Sequence, residues 1–121
     1  MESIDKALFP NVHPGEILKD EFLDPLGISV YRLAQDIHVD EGRIHQIIKG
    51  ERGISPDTAA RLALFFGTSV HFWLNLQSTY DADIAVERLE EYRSEVKVSD
   101  KARESMRLAR EAVASYSATA E

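Results

Sequence analysis

Residues 29–50 read SVYRLAQDIHVDEGRIHQIIKG, and this stretch predicts two short helices separated by a tight turn. Ser29 can cap the first helix, because its hydroxyl can accept a hydrogen bond from the free amides of the first turn. Asp40 is the candidate cap of the second helix, and Gly50 can end it in the left-handed conformation that glycine adopts without strain. The predicted helices span residues 29–37 and 40–49.

Apolar residues recur in both predicted helices at the spacing of a single helix face. They are Val30, Leu33, Ala34 and Ile37 in the first helix and Ile44, Ile47 and Ile48 in the second. Two amphipathic helices with so short a connection form the core of a helix-turn-helix, whose second helix enters the major groove of DNA. A plain helix bundle with a solvated charged face would show the same periodicity, so the pattern alone leaves both interpretations open.

The outward face of the second helix carries residues that we predict to read DNA bases. Arg43 can donate two hydrogen bonds to guanine, and Gln46 can pair with adenine in the same bidentate way. His45 can donate or accept, and Glu41 can accept from the amino group of cytosine. Gly42 lowers helix stability, which a close approach of the backbone to DNA would explain. The residues predicted to contact phosphates are Arg32, Lys49 and Arg52.

Helical patterns continue on both sides of this pair. A first helix is predicted at residues 14–23 and is expected to end at Asp24-Pro25 and Gly27. A fourth helix follows Ser55-Pro56, and because it is apolar nearly all round it should be central in the core. The fifth and sixth predicted helices follow Ser69 and Ser99-Asp100. The predicted fold class is all-α, with five helices in one domain and an additional C-terminal helix.

Two apolar stripes near the C-terminus are open to more than one interpretation. The fifth helix carries a long seam formed by Trp73, Leu76, Tyr80 and Ile84. Burial within the protomer would explain it, but the helix is long for a small domain and a palindromic DNA site requires a twofold dimer, so we predict a dimer interface. The last helix carries a heptad-like stripe, which suits a frayed helix, a dimer contact or a partner-binding element. That stripe consists of Ala102, Met106, Ala109, Val113 and Tyr116.

The overall charge argues against DNA binding, whereas its distribution does not. The chain has 14 Lys and Arg residues and 21 Asp and Glu residues, which gives a net charge of −7. Residues 32–52, however, hold four basic and four acidic side chains, so the predicted DNA-facing stretch is neutral between acidic flanks. The field of the whole molecule should slow its encounter with DNA and limit non-specific affinity.

Composition excludes several other classes of protein. The absence of cysteine excludes disulfides, thiolate metal sites and cysteine nucleophiles. No apolar run reaches the ~18–20 residues of a membrane span, and the N-terminus lacks a signal-peptide pattern, so we expect a cytoplasmic protein without a membrane partner. The four histidines are too scattered to form a metal site, and candidate catalytic residues are explained by caps and turns. We therefore expect no catalytic residues, metal or cofactor, and no enzyme.

Several blocks of the sequence, in order, resemble the HigA/VapI antitoxins of the XRE family. They are HPGEIL at 13–18, EFLDPLG at 21–27, LA at 33–34, RIHQIIKGERGIS at 43–55, TAARLA at 58–63 and FWLNLQ at 72–77. The resemblance covers about residues 11–95. It implies a λ-repressor-like domain that forms homodimers, binds a palindromic operator in its own promoter and neutralises a HigB-type ribonuclease toxin. The domain limits that follow are an N-terminal arm at 1–12, a helix-turn-helix domain at 13–95 and a C-terminal extension at 96–121.

The resemblance assigns DNA contact to the matching positions and leaves two alternatives open. Those positions are Arg43, Gln46, Lys49 and Arg52, with Arg32 less directly. Relatives commonly carry Asn where this chain has His45, and the acids Asp40 and Glu41 would repel phosphate at the start of the helix. A free-standing XRE-family repressor without a toxin would show the same residues. An interaction module that has lost DNA binding would suit the acidic balance.

Overall fold

The computed structural model describes residues 11–119, which hold seven helices and no strand. The first helix, α1, is composed of Pro14–Ile17 in α geometry, Leu18–Leu23 in π geometry and a final α turn at Asp24–Leu26. The others are α2 (Val30–Ile37), α3 (Glu41–Ile48), α4 (Pro56–Phe66), α5 (Val70–Glu87), α6 (Leu89–Arg93) and α7 (Asp100–Thr119). The all-α fold class is thus confirmed, and almost all of the arm predicted at 1–12 lies outside the described residues.

Serine caps set the starts of several helices. Ser29 accepts a hydrogen bond from the amide of Arg32 at 3.0 Å, so α2 begins where the sequence predicted. Ser55 accepts from Thr58 at 3.2 Å at the start of α4. Asp40 is the N-cap residue of α3, as predicted, although its side chain makes no capping hydrogen bond.

The first helix runs past the residues that were expected to end it. It continues to Leu26, so the predicted limit at residue 23 is wrong, and it ends at Gly27, whose φ of 66° is left-handed, as one of the predicted stop signals indicated. Just before Pro25 the helix adopts π geometry, and the amide of Asp24 donates to the carbonyl of Lys19, five residues earlier. A five-residue bond spacing also brings apolar pairs five apart, such as Leu18 and Leu23, onto one face. Both of those leucines are buried.

Five helices bury a single core around Trp73. Its indole N–H donates to the Thr68 hydroxyl at 2.7 Å, and its ring packs 4.9 Å from that of Phe22. The fourth helix buries Ala59, Leu62 and Ala63 in the core, as expected, but only on one face, since Leu64 is 88% exposed. The fully buried large apolar side chains include Leu18, Leu33, Ile44, Ile47 and Leu62.

Burial corrects half of the predicted dimer interface. Trp73 and Leu76 are 0% and 5% exposed within the protomer, so they have no surface to offer a partner and their assignment as dimer contacts is wrong. Tyr80 is half-buried and packs edge-on against His13, with ring centroids 4.8 Å apart. Ile84 is 38% exposed. For these last two residues the dimer interface stays a prediction.

The chain divides into two units between Val86 and Glu87. The first contains the core described above. In the second, every side chain described from Glu87 to Tyr116 is exposed, including the α7 residues Met106 and Val113. The domain boundary predicted at residues 95 and 96 stays a prediction. Within residues 11–119, no helix is long and apolar enough to cross a membrane.

Candidate nucleic-acid interface

The predicted base-reading residues lie together on the outward face of α3. Ile44 and Ile47 are fully buried and fix the opposite face of this helix in the core. The five residues predicted for base readout, Glu41, Gly42, Arg43, His45 and Gln46, are all exposed. Lys49 follows the helix and Arg52 lies in the next loop, and both are also exposed. The structure therefore presents one continuous polar surface along α3 and its C-terminal end.

The start of α1 lies directly against the C-terminal end of α3. A Cβ atom on Gly15 would stand only 1.8 Å from the carbonyl oxygen of Ile47, so the two backbones touch in a way that only glycine permits. His13 caps α1, since its Nδ1 accepts from the amide of Gly15 at 2.9 Å, and its own amide donates to Glu16 at 3.3 Å. The backbone contact between Gly15 and Ile47 holds the end of α3 in place. The capping-box spacing of His13 and Glu16 is visible in the sequence and could have indicated this cap, but not the contact with α3.

The loop that carries Arg52 is held from both sides. The amide of Glu51 donates to the carbonyl of Gln46 at 2.9 Å, which folds the loop back onto α3. The amide of Ile54 donates to the side-chain oxygen of Gln77 on α5 at 2.7 Å. Gly53 lies so close to Gln77 that a Cβ atom would meet it at 2.9 Å. No local sequence signal indicates Gln77, because its partner is 23 residues away and only the fold brings the two together.

The cations of this surface differ in their internal contacts. Among the described residues, Arg43 and Lys49 have no hydrogen-bond or ion-pair partner, so their charges are free for a ligand. Arg52 donates from Nε to the side-chain oxygen of Gln46 at 3.1 Å. Arg32, on α2, donates to Asp36 at 2.8 Å, a hydrogen bond that raises the pKa of the guanidinium. An exposed pair of this kind contributes little stability, so a phosphate can replace the carboxylate at small cost.

The two acids and the glycine at the start of α3 are explained in part. Glu41 lies 4.0 Å from Nε2 of His45, one turn along the helix. A Cβ atom on Gly42 would meet only the Asp40 carboxylate, at 2.9 Å. That group is the end of a flexible side chain, so packing within the protomer does not require glycine here. Among residues 11–119, no three His, Asp or Glu side chains cluster as metal ligands would.

Comparison with known proteins agrees with this arrangement. A helix-turn-helix family profile matches residues 19–73, which include α2, α3 and α4. Virulence-associated protein I of Dichelobacter nodosus is 46% identical over 80 residues, 66% of this chain and 74% of that protein. Among solved structures, Pseudomonas aeruginosa antitoxin HigA with the higBA promoter is 41% identical, with a TM-score of 0.67 over 72% of this chain and 96% of that one. Antitoxin GraA in complex with its operator is 35% identical, with a TM-score of 0.66 over 73% and 90% of the two chains.

These likenesses extend over most of the length of each relative and include the whole helix-turn-helix. The resemblance predicted from the sequence is confirmed. The chain belongs to the helix-turn-helix family of virulence-associated protein I and the HigA antitoxins.

Proposed function

We propose that this chain is a cytoplasmic DNA-binding antitoxin that represses its own promoter and neutralises a HigB-type ribonuclease toxin. The observation that carries the proposal is the exposed polar face of α3, which is fixed at its C-terminal end by the backbone contact between Gly15 and Ile47. Two relatives with the same fold have been solved with promoter or operator DNA. The family is one of DNA-binding regulators and antitoxins rather than of enzymes.

In this proposal α3 enters the major groove, where some of its side chains contact bases and others contact phosphates. Arg43 donates two hydrogen bonds to a guanine, and Gln46 contacts a neighbouring base. Lys49 and Arg52, at the end of the helix, neutralise phosphates, and Arg32 does so from α2. The inner face of α3 is already packed in the core through Ile44 and Ile47, so little ordering of the backbone opposes binding.

A homodimer completes the operator complex. Two copies related by a twofold axis would place their α3 helices in half-sites whose centres are about 10 base pairs apart. Tyr80 and Ile84 supply partly exposed area on α5 for this contact. The exposed apolar stripe of α7 is a further surface for a partner, and the toxin is one candidate for it.

Selection of bound duplexes from a random pool at about 0.1 M salt tests the DNA-binding part of the proposal. We expect a palindromic motif with half-sites about one helical turn apart. Arg43→Ala should lose ~1–3 kcal/mol of binding free energy, mostly through one base position. If no motif is enriched, the chain is an interaction module, an alternative that its net charge of −7 favours.

Growth rescue tests the antitoxin part. The adjacent reading frame is expressed alone and then together with this chain. We expect growth arrest in the first case and rescue in the second, with the two proteins copurifying. DNA selection that succeeds without rescue would identify a free-standing repressor.

A further inference from the structure

A hydrogen bond joins two side chains of the candidate interface that sequence analysis treated as independent. Nε of Arg52 donates to the side-chain oxygen of Gln46 at 3.1 Å. Gln46 lies on α3 and Arg52 in the following loop, six residues later. Both side chains are exposed, so packing in the core does not force them together.

The backbone brings these side chains together. The amide of Glu51 donates to the main-chain carbonyl of Gln46 at 2.9 Å, so the residue before Arg52 is bonded to Gln46 itself. On the other side, the amide of Ile54 is held by Gln77 at 2.7 Å. Arg52 therefore projects from a loop that is fixed at both ends. The fixed backbone of the loop thus keeps Arg52 within reach of Gln46.

The donor in this pair decides which way the Gln46 amide faces. A guanidinium has donors only, so it can bond to the oxygen of an amide but not to its NH₂ group. The hydrogen bond is charge-assisted and hence stronger than one between neutral groups. It occupies one of the two acceptor sites of the Gln46 oxygen, on the side that faces Arg52, and leaves both N–H donors of the NH₂ group free.

This orientation changes the base that Gln46 suits. Bidentate reading of adenine needs the glutamine oxygen to accept from N6 while the NH₂ group donates to N7. Guanine presents two acceptors, N7 and O6, on its major-groove edge and needs donors only. A glutamine held as a donor therefore matches guanine better than adenine.

We propose that Arg52 is a positioning residue for base readout, which holds Gln46 as a hydrogen-bond donor so that this position prefers guanine. The remaining guanidinium nitrogens of Arg52 stay available for a phosphate, so one side chain links backbone contact to base choice. The inference rests on the proposed entry of α3 into the major groove.

Base-preference profiles of four proteins test it: the wild type, Gln46→Ala, Arg52→Ala and Arg52→Lys. The position whose preference is lost in Gln46→Ala identifies the base that Gln46 reads. At that position we expect guanine in the wild type, and Arg52→Ala should reduce the preference for guanine over adenine by about tenfold. Arg52→Lys keeps the charge but places a methylene where Nε stands, so it should lose the same preference while retaining more of the affinity.

Lys49→Ala is the matched control, because it removes a neighbouring cation that does not contact Gln46. It should weaken binding to all sequences alike and leave the profile unchanged. The double variant Gln46→Ala/Arg52→Ala should lose no more preference than Gln46→Ala alone, since both changes disable the same contact.

Two results would overturn the inference. One is an unchanged profile with uniformly lower affinity in both Arg52 variants, which would make Arg52 a phosphate contact only. The other is adenine at the position that depends on Gln46. Failure of the proposed function would look different, because the wild type itself would then enrich no motif.

Discussion

Replacing Gly15 by alanine would insert a methyl group between the start of α1 and the end of α3. Its Cβ atom would lie 1.8 Å from the carbonyl oxygen and 2.6 Å from the carbonyl carbon of Ile47, both backbone atoms. The two backbones would have to part by about 1.2 Å, since real Cβ atoms essentially never come within 3.0 Å of another atom. Neither helix end can rotate away as a side chain could.

The cost follows from three contributions. Overpacking of this kind costs about 1–3 kcal/mol. Displacing Gly15 also weakens the hydrogen bond that His13 accepts from it, an N-cap interaction that contributes about 1 kcal/mol. The better helix propensity of alanine offsets up to about 1 kcal/mol. We therefore expect Gly15→Ala to lower the free energy of unfolding by about 2 kcal/mol, which leaves a folded but weakened protein.

Urea denaturation measures this loss as a shift of the midpoint at constant slope. Gly42→Ala is the matched control, because its Cβ atom would meet only the flexible Asp40 carboxylate, and it should be neutral or stabilising. Operator affinity measured well below the midpoint should fall in Gly15→Ala, since the end of α3 has moved. A free energy of unfolding within about 0.5 kcal/mol of the wild-type value is ordinary for surface sites. That result for Gly15→Ala would refute the direct backbone contact.

Three further outcomes are expected. Burial lowers the pKa of His13 more than Glu16 and Asp81 raise it. Below about pH 6.5 the unfolded chain therefore binds a proton at His13 more readily than the folded protein does, so the free energy of unfolding should decline as the pH falls below that value. His13→Asn keeps a capping side chain and should flatten this part of a pH titration of unfolding; an unchanged slope would assign it to other groups. His38 ends α2 at φ 58° and ψ 47°, a left-handed conformation that is strained for a residue with a side chain. His38→Gly should therefore add about 1 kcal/mol to the free energy of unfolding and raise the thermal midpoint. A lower midpoint would show that the His38 side chain contributes more stability than the strain removes. Leu64→Gln on the exposed face of α4 should change the free energy of unfolding by less than about 0.5 kcal/mol, whereas Leu62→Ala on the buried face should lower it by about 2–5 kcal/mol. Equal effects of the two variants in denaturation would contradict the one-sided burial of this helix.

The parts of the fold that were predictable from the sequence are those fixed by local chemistry. The start of α2 follows from the Ser29 hydroxyl and the apolar period after it, and neither depends on distant residues. The limit of α1 was predicted too early, at residue 23, because Asp24-Pro25 indicates a stop, whereas the helix continues through the preceding π turn to Leu26 and ends at Gly27. The role of Trp73 was mistaken because periodicity identifies an apolar face without saying whether the protomer or its partner covers it.

In the candidate interface, too, the features fixed by local sequence were predictable and those fixed by distant contacts were not. The outward placement of Arg43 and Gln46 follows from the inward-facing isoleucines of their own helix, so it could be predicted. The pairing of Gln46 with Arg52 depends on the backbone of the loop between them, and no spacing rule gives it. Gly15 shows the limit most clearly: its sequence neighbours indicate a helix start, but the atom that requires glycine belongs to Ile47.

The contact between Gly15 and Ile47 also bears on how the molecule opens. An eight-residue helix such as α3 has little stability of its own in water, so its order comes from what it packs against. Since α1 and α3 meet backbone to backbone, neither can fray at that junction without exposing the other. The amide protons at this junction should then exchange with solvent through one shared opening event.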